Sequence, residues 1–307
     1  MFFAQPEEIK TEVFARLPEH LRVKSRKSGW SFGKGNDSLH SFLEGPSFDR
    51  DGNLFVTDIP YGRILRITPE RQWSVVAEYD GWPNGLKVHR DGRLFVADHK
   101  RGIVCIDPRS GEVTPVLEHV RREGFRGTND LVFAKNGDLY FTDQGQTGLQ
   151  DASGRVFRLR ADGQVDCLID VVPSPNGIVL SPDEKTLFVA VTRANQIWRL
   201  PLHSDGTTSK VGAFITLSGG LAGPDGIAMD EQGGLAVAHC GLGTVWLFDR
   251  LGEPHYRVRS CEGISTTNIA YGGEGNRYLY ITESDSGTIL RAAMPLPGRP
   301  MYSHAAD

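Results

Sequence analysis

Six residues recur at one position of an internal repeat: Glu44, Asn84, Asn129, Asn176, Asp225 and Thr267, separated by 40, 45, 47, 49 and 42 residues. Each stands just before a short apolar stretch, and five of the six carry a carboxylate or amide oxygen. Polar groups at fixed positions of a folded chain are costly to bury without partners, and one bound cation satisfies several of them together. The donors are oxygens alone, with no cysteine and no ring of histidines, and hard oxygen ligands favour Ca2+, Mg2+ or Mn2+ over Zn2+. The expectation is one divalent cation, Ca2+ first, with Mg2+, Mn2+, Fe2+ and Zn2+ as alternatives. Taken singly, each Asn or Asp also reads as the cap of its own turn, because these side chains bond neighbouring backbone well.

A second repeat position holds Asp58, Asp98, Asp143, Val191, His239 and Glu283. Four acids here could serve as catalytic carboxylates, or they could bond turn backbone within their own repeat. His239 breaks the pattern in the same repeat as Asp225 and is a candidate substrate-orienting group or proton acceptor, or a structural histidine. Trp82, beside Asn84, is expected either to give the cation site an apolar wall or to be an exposed turn residue.

The elements that must carry these residues are strands. PSFDRDGNLFVTD, GLKVHRDGRLFVAD, DLVFAKNGDLYFTD, GIVLSPDEKTLFVAV, GIAMDEQGGLAVAH and NIAYGGEGNRYLYITE each read as strand, tight turn, strand. Asp51-Gly52, Asp91-Gly92 and Asn136-Gly137 are hairpin signals. Two further strand-like stretches follow each unit except the sixth, which has only one. Hairpins at a period of 40–50 residues predict an all-β fold, a six-bladed β-propeller with four strands per blade. The missing strand is assigned to residues 11–17, so that an N-terminal strand closes the last blade and covers its edge. The predicted organisation is an extension over 1–43, a propeller over 44–295 and a flexible tail over 296–307. Within the extension, the basic, Gly/Ser-rich stretch 22–37 reads as an irregular loop, with Trp30 and Phe32 as candidate anchors over one end of the channel. Only 6–12 and 117–123 have helix-like composition.

Composition narrows the function classes. The 307 residues carry a net charge of −4, which supplies no basic field for nucleic acid or for an anionic membrane. No stretch approaches the roughly 20 apolar residues that span a bilayer. The four cysteines are scattered without a CxxC and read as reduced, mostly buried thiols. The start, MFFAQPEEIK, lacks a charged and then apolar leader. A cytoplasmic enzyme of small molecules is expected, monomer or dimer.

Glu44-Gly45-Pro46, Asn129-Asp130, Pro175-Asn176-Gly177 and Pro224-Asp225-Gly226 closely resemble, in order and at blade spacing, the four signatures of the gluconolactonase, regucalcin (senescence marker protein) and luciferin-regenerating-enzyme family. The resemblance runs from about residue 44 to 283. It implies a propeller holding a divalent cation, usually calcium, with Glu44, Asn176 and Asp225 as core ligands. Asn129 would complete the metal site or touch substrate. It also implies a substrate-binding arginine upstream of the Asn-Asp pair, for which Arg126 is the candidate. The loop GQTGLQDASG has no match to a sugar-contacting acid of the animal enzymes. The reaction implied is hydrolysis of a small-molecule lactone: the cation polarises the carbonyl, and Asp225 acts as general base and then acid or as nucleophile. Arg126 and Asn84 would position the substrate. No Gly-x-Ser-x-Gly elbow is present. Diisopropylfluorophosphatase, a more distant relative, carries a similar ring, so the rivals are a phosphotriesterase and a non-catalytic calcium-binding propeller.

Overall fold

A computed structural model describes residues 3–24, 26–31 and 39–304. Six four-stranded antiparallel units follow one another along the chain, so the fold is a six-bladed propeller. The innermost strands are Leu43–Phe48, Pro83–Val88, Thr128–Phe133, Pro175–Leu180, Gly223–Met229 and Thr266–Gly272. The second strands are rich in β-branched and aromatic residues, and two of them, LFVTD and LYFTD, are buried along their whole length. They need that composition because a blade's middle strands are covered on both faces.

There is no single core. Six buried apolar clusters occur, one at each junction between adjacent blades. The junction between the sixth and first blades packs Phe14 and Leu17 with Leu43, Phe48, Tyr280 and Ile289. Hydroxyl groups tie the same junctions near the axis: Thr57 Oγ1 donates to Asn84 O at 2.8 Å, Thr142 Oγ1 to Asn176 O at 2.8 Å and Ser284 Oγ to Leu43 O at 2.6 Å.

The N-terminal strand Glu12–Arg16 pairs antiparallel with Thr288–Ala293 as the fourth strand of the sixth blade, with Val13 opposite Leu290. A second N-terminal strand, Glu7–Lys10, adds in parallel to Pro254–Arg259, outside the fifth blade. Residues 6–12, expected as helical, are therefore extended. So few residues cannot meet the cost of nucleating a helix, whereas two open sheet edges offer them a full set of hydrogen bonds. The stretch 117–123 is likewise not helical. It ends the strand Val113–Leu117 and enters a small hairpin, His119–Val120 against Glu123–Gly124.

Two further expectations are corrected. The tail from 296, read as flexible, is fastened through residue 304: Arg299 donates to Leu180 O at 2.7 Å and to Ser181 O at 3.0 Å, and Ser303 Oγ donates to Phe48 O at 2.9 Å. Tyr302 stacks on Phe133 at 4.7 Å. Its polar and aromatic side chains find partners on the underside of the ring, which composition could not reveal. Of the four cysteines only Cys105 is buried, while Cys167 and Cys261 are exposed. Trp30 packs against Phe42 at 4.7 Å between ring centroids; Phe32 lies outside the described residues. Among the described residues no helix is long and apolar enough to cross a membrane.

Candidate functional site

All six inner strands lose regular register at the same place: between Glu44 and Ser47, Pro83 and Leu86, Thr128 and Leu131, Pro175 and Ile178, Pro224 and Ile227, and Thr266 and Ile269. Bulges re-aim side chains and gather at functional sites. Here the irregularity falls on or beside the repeated polar residue in every blade. The following glycines allow the blades to close in. A Cβ on Gly45, where φ is +55°, would collide with the carbonyl oxygen of Asn84, and one on Gly226 would collide with Asn268 Oδ1.

The result is an axial cavity of about 580 Å3 whose wall includes Glu44, Asn84, Asn129, Asn176 and Asp225. The structure thus brings five of the six repeated residues together. Thr267 is buried, and its hydroxyl lies 2.9 Å from Thr282 Oγ1 and 2.7 Å from Ser284 Oγ.

The charges and dipoles here are set up for a cation. Glu44 is 4% exposed, and no Lys or Arg pairs with it among the described residues. Burial foremost, with the nearby Asp130 carboxylate adding to it, pushes its carboxyl up to about 7. Glu44 Oε2 accepts from Gly45 N at 2.7 Å and from Asn268 Nδ2 at 2.8 Å. Both of these bonds fall on one oxygen, and the Thr267 side chain also hydrogen-bonds the carboxylate. The amides are oriented in the same sense. Asn129 Nδ2 donates to Gln144 Oε1 at 3.0 Å, and Asn176 Nδ2 donates to Thr192 Oγ1 at 3.2 Å. Each asparagine spends its N–H on the protein and keeps its carbonyl oxygen. A buried carboxylate without a counter-charge, two amide oxygens and the half-buried Asp225 fit a divalent cation with oxygen ligands.

A tight group of three ligating residues of the His/Cys/Asp/Glu type lies elsewhere, at Asp249, Glu253 and His255. It sits at a turn of the fifth blade, and Asp249 Oδ1 already accepts from Leu251 N and Glu253 N at 2.8 and 2.9 Å. None of the three lines the axial cavity.

Three other candidates stand outside the cavity wall. His239 is fully buried. One ring nitrogen meets Gly219 O at 3.1 Å and the other accepts from Trp246 Nε1 at 3.2 Å, leaving neither for substrate. Burial also lowers its proton affinity. Arg126 is exposed and donates to Ser153 Oγ at 2.6 Å. Trp82 stands behind His99, 5.9 Å between rings, and lines an adjacent cleft with Tyr79 and Asp80. The second-position acids are structural. Asp58, Asp98, Asp143 and Glu283 accept the backbone N–H of Phe42, Trp82, Gly127 and Ser265 at 2.8, 3.1, 2.8 and 3.0 Å. Each anchors the segment two residues before its ring residue.

Sequence reasoning missed the cavity's other ring. Ile59, His99, Gln144, Thr192 and Cys240 all line the wall. Each follows directly on the second repeat position, so the repeat that marked Asp58 and His239 would have found them one residue further on. Asn268 was also missed. It follows the ring residue Thr267 as Asp130 follows Asn129.

Comparison with known proteins agrees with this geometry. A family model described as SMP-30/Gluconolactonase/LRE-like region matches residues 42–285. A gluconolactonase of Zymomonas mobilis is 32% identical over 279 residues, 81% of this chain and 78% of that protein. Lactonase drp35 of Staphylococcus aureus is 34% identical over 223 residues, 69% of this chain and 68% of that protein. Among solved structures, a calcium-binding protein, regucalcin, from Agrobacterium tumefaciens superposes with a TM-score of 0.76 at 21% identity, over 97% of this chain and 99% of that one.

Proposed function

The chain belongs to the SMP-30/gluconolactonase/LRE-like family, and from that premise we propose that it is a divalent-cation-dependent lactonase, with Ca2+ the first candidate. The observation that carries this reading is the convergence of Glu44, Asn129, Asn176 and Asp225 on one axial cavity, with the two amides turned by Gln144 and Thr192 so that their oxygens remain. Relatives named lactonase and gluconolactonase at 32–34% identity support the reaction class.

Burial separates the roles of the two carboxylates. Glu44, enclosed and with Oε2 taken by two donors, is a fixed ligand. Asp225 is only half-buried, so its carboxylate can reach a water molecule in the cavity. When bound, the cation supplies Lewis acidity, stabilising negative charge on the lactone carbonyl oxygen. Asp225 removes a proton from the attacking water as its oxygen bonds to the carbonyl carbon. It returns that proton to the ring oxygen as the carbon–oxygen bond breaks, leaving a hydroxy acid. Asn84, on the same wall, is placed to bond a substrate oxygen.

The test is a lactone panel with organophosphate esters alongside, assayed with chelator and then with each metal added back. Chelation abolishes turnover and Ca2+ restores it. Asp225→Asn loses at least about 100-fold in kcat, within the usual worth of a general base, while still binding metal in calorimetry. Full lactone hydrolysis in excess chelator overturns the proposal.

A further inference from the structure

Among the described residues, Arg193 is the one lysine or arginine on the wall of the axial cavity. It lies in a single 3-10 turn, Thr192–Ala194, and is exposed. No carboxylate or carbonyl among the described residues pairs with it, in contrast to Arg63 on Asp58 and Arg155 on Asp143. Its position is nonetheless fixed. Thr192 Oγ1 donates to Pro224 O at 2.8 Å and accepts from Asn176 Nδ2 at 3.2 Å, so the turn is bolted to two ring strands. On its far side Asn195 takes a left-handed conformation, φ +56°, and its N–H closes the turn on Thr192 O at 3.1 Å. Gln146 and Gln150 share the wall, exposed and without side-chain hydrogen bonds among the described residues.

The charge balance gives this guanidinium a purpose. Glu44 and Asp225 together neutralise a divalent cation, which leaves the positive charge of Arg193 uncompensated at the mouth. A planar fork of donors is suited to a carboxylate, which it grips through two hydrogen bonds. Arg126, the arginine implied by family resemblance, is turned to Ser153 and off the wall.

We propose that Arg193 is a substrate-binding residue that reads a free carboxylate on the lactone, so that the substrate class is an acidic lactone. This rests on the lactonase reading above. Gln146 and Gln150 add amide donors to the same subsite.

The experiment compares 5-carboxy-γ-butyrolactone with its methyl ester on metal-loaded wild type, Arg193→Met and Arg193→Lys. For the acid, Arg193→Met raises KM at least tenfold with kcat within about threefold, as expected for a lost charge-assisted bond. The ester's constants stay within twofold, and Arg193→Lys recovers part of the loss. Equal effects on acid and ester, or none on either, overturn the assignment. A second arm does not depend on turnover: calorimetric titration with the open-chain 2-hydroxyglutarate. Wild type binds it at least tenfold more tightly than Arg193→Met, and binding that is equal or undetectable in both overturns the assignment. A wild type that binds the hydroxy diacid through Arg193 but hydrolyses no lactone rejects the lactonase reading and keeps the subsite.

Discussion

At the scale of single residues, the site is governed by which atom of each polar side chain the protein uses up. Asn268 decides this for Glu44. Its Nδ2 donates to Oε2 while its own Oδ1 accepts from Ile269 N at 2.8 Å, so it has no rotational freedom left. Asn268→Leu removes a hydrogen bond to a buried carboxylate, worth about 1.5–3 kcal/mol, and is expected to weaken Ca2+ binding roughly 10–100-fold by calorimetry. The burial of Glu44 also sets a pH dependence. Its folded proton affinity, near pH 7, exceeds the ordinary carboxylate value of 4.5, so the metal-free folded state binds the extra proton. That contribution to stability is complete below about pH 4.5 and is lost as pH rises through 7. In chelator, the part of the melting temperature due to Glu44 falls between pH 5 and 8, and Glu44→Gln removes this slope. Stabilisation by added Ca2+ grows over the same interval. The types Glu, Asn, Asn and Asp at blade spacing made the polar wall of the cavity legible. The partners Gln144, Thr192 and Asn268 were not legible, because hydrogen-bond direction depends on which strand lies alongside.

At the scale of elements, the strands follow from the chain's own pattern: paired apolar runs, Asp-Gly and Asn-Gly turns and a constant period. The N-terminal strand was inferred from a vacancy in the sixth blade, and its pairing with Thr288–Ala293 fills that vacancy. The parallel strand Glu7–Lys10 had no such vacancy to announce it. Its burial is slight, so neither apolar periodicity nor repeat length marks it. Phe14 is the anchor of the closing strand, 8% exposed and set edge-on to Tyr280 at 4.9 Å. Phe14→Ala is expected to cost about 3 kcal/mol, read as a lower denaturation midpoint in urea. The six bulges at the ring residues were invisible because an extra residue in a strand leaves no compositional trace.

At the scale of the whole molecule, the two ends of the channel are unlike. Opposite the polar cavity lies an apolar one of about 430 Å3, lined by inner strands of all six blades and by Arg299–Tyr302. Arg299 holds that strap through Glu184 at 2.9 Å as well as through two carbonyls. Ending the chain at residue 296 is expected to lower the melting temperature by about 5–10 °C, equivalent to a few kcal/mol at this size. Ca2+ affinity at the other end stays within twofold. The bond from Asn268 to Glu44 joins the last blade to the first. An ion can therefore be held in its final form only once the circle is complete. During synthesis the amino-terminal half leaves the ribosome first with Glu44, Asn84 and Asn129, and the cavity they line is closed only when the final sixth emerges and docks. On the lactonase reading, cation uptake would thus be the last event of maturation, and the metal would act as the clasp of a finished ring.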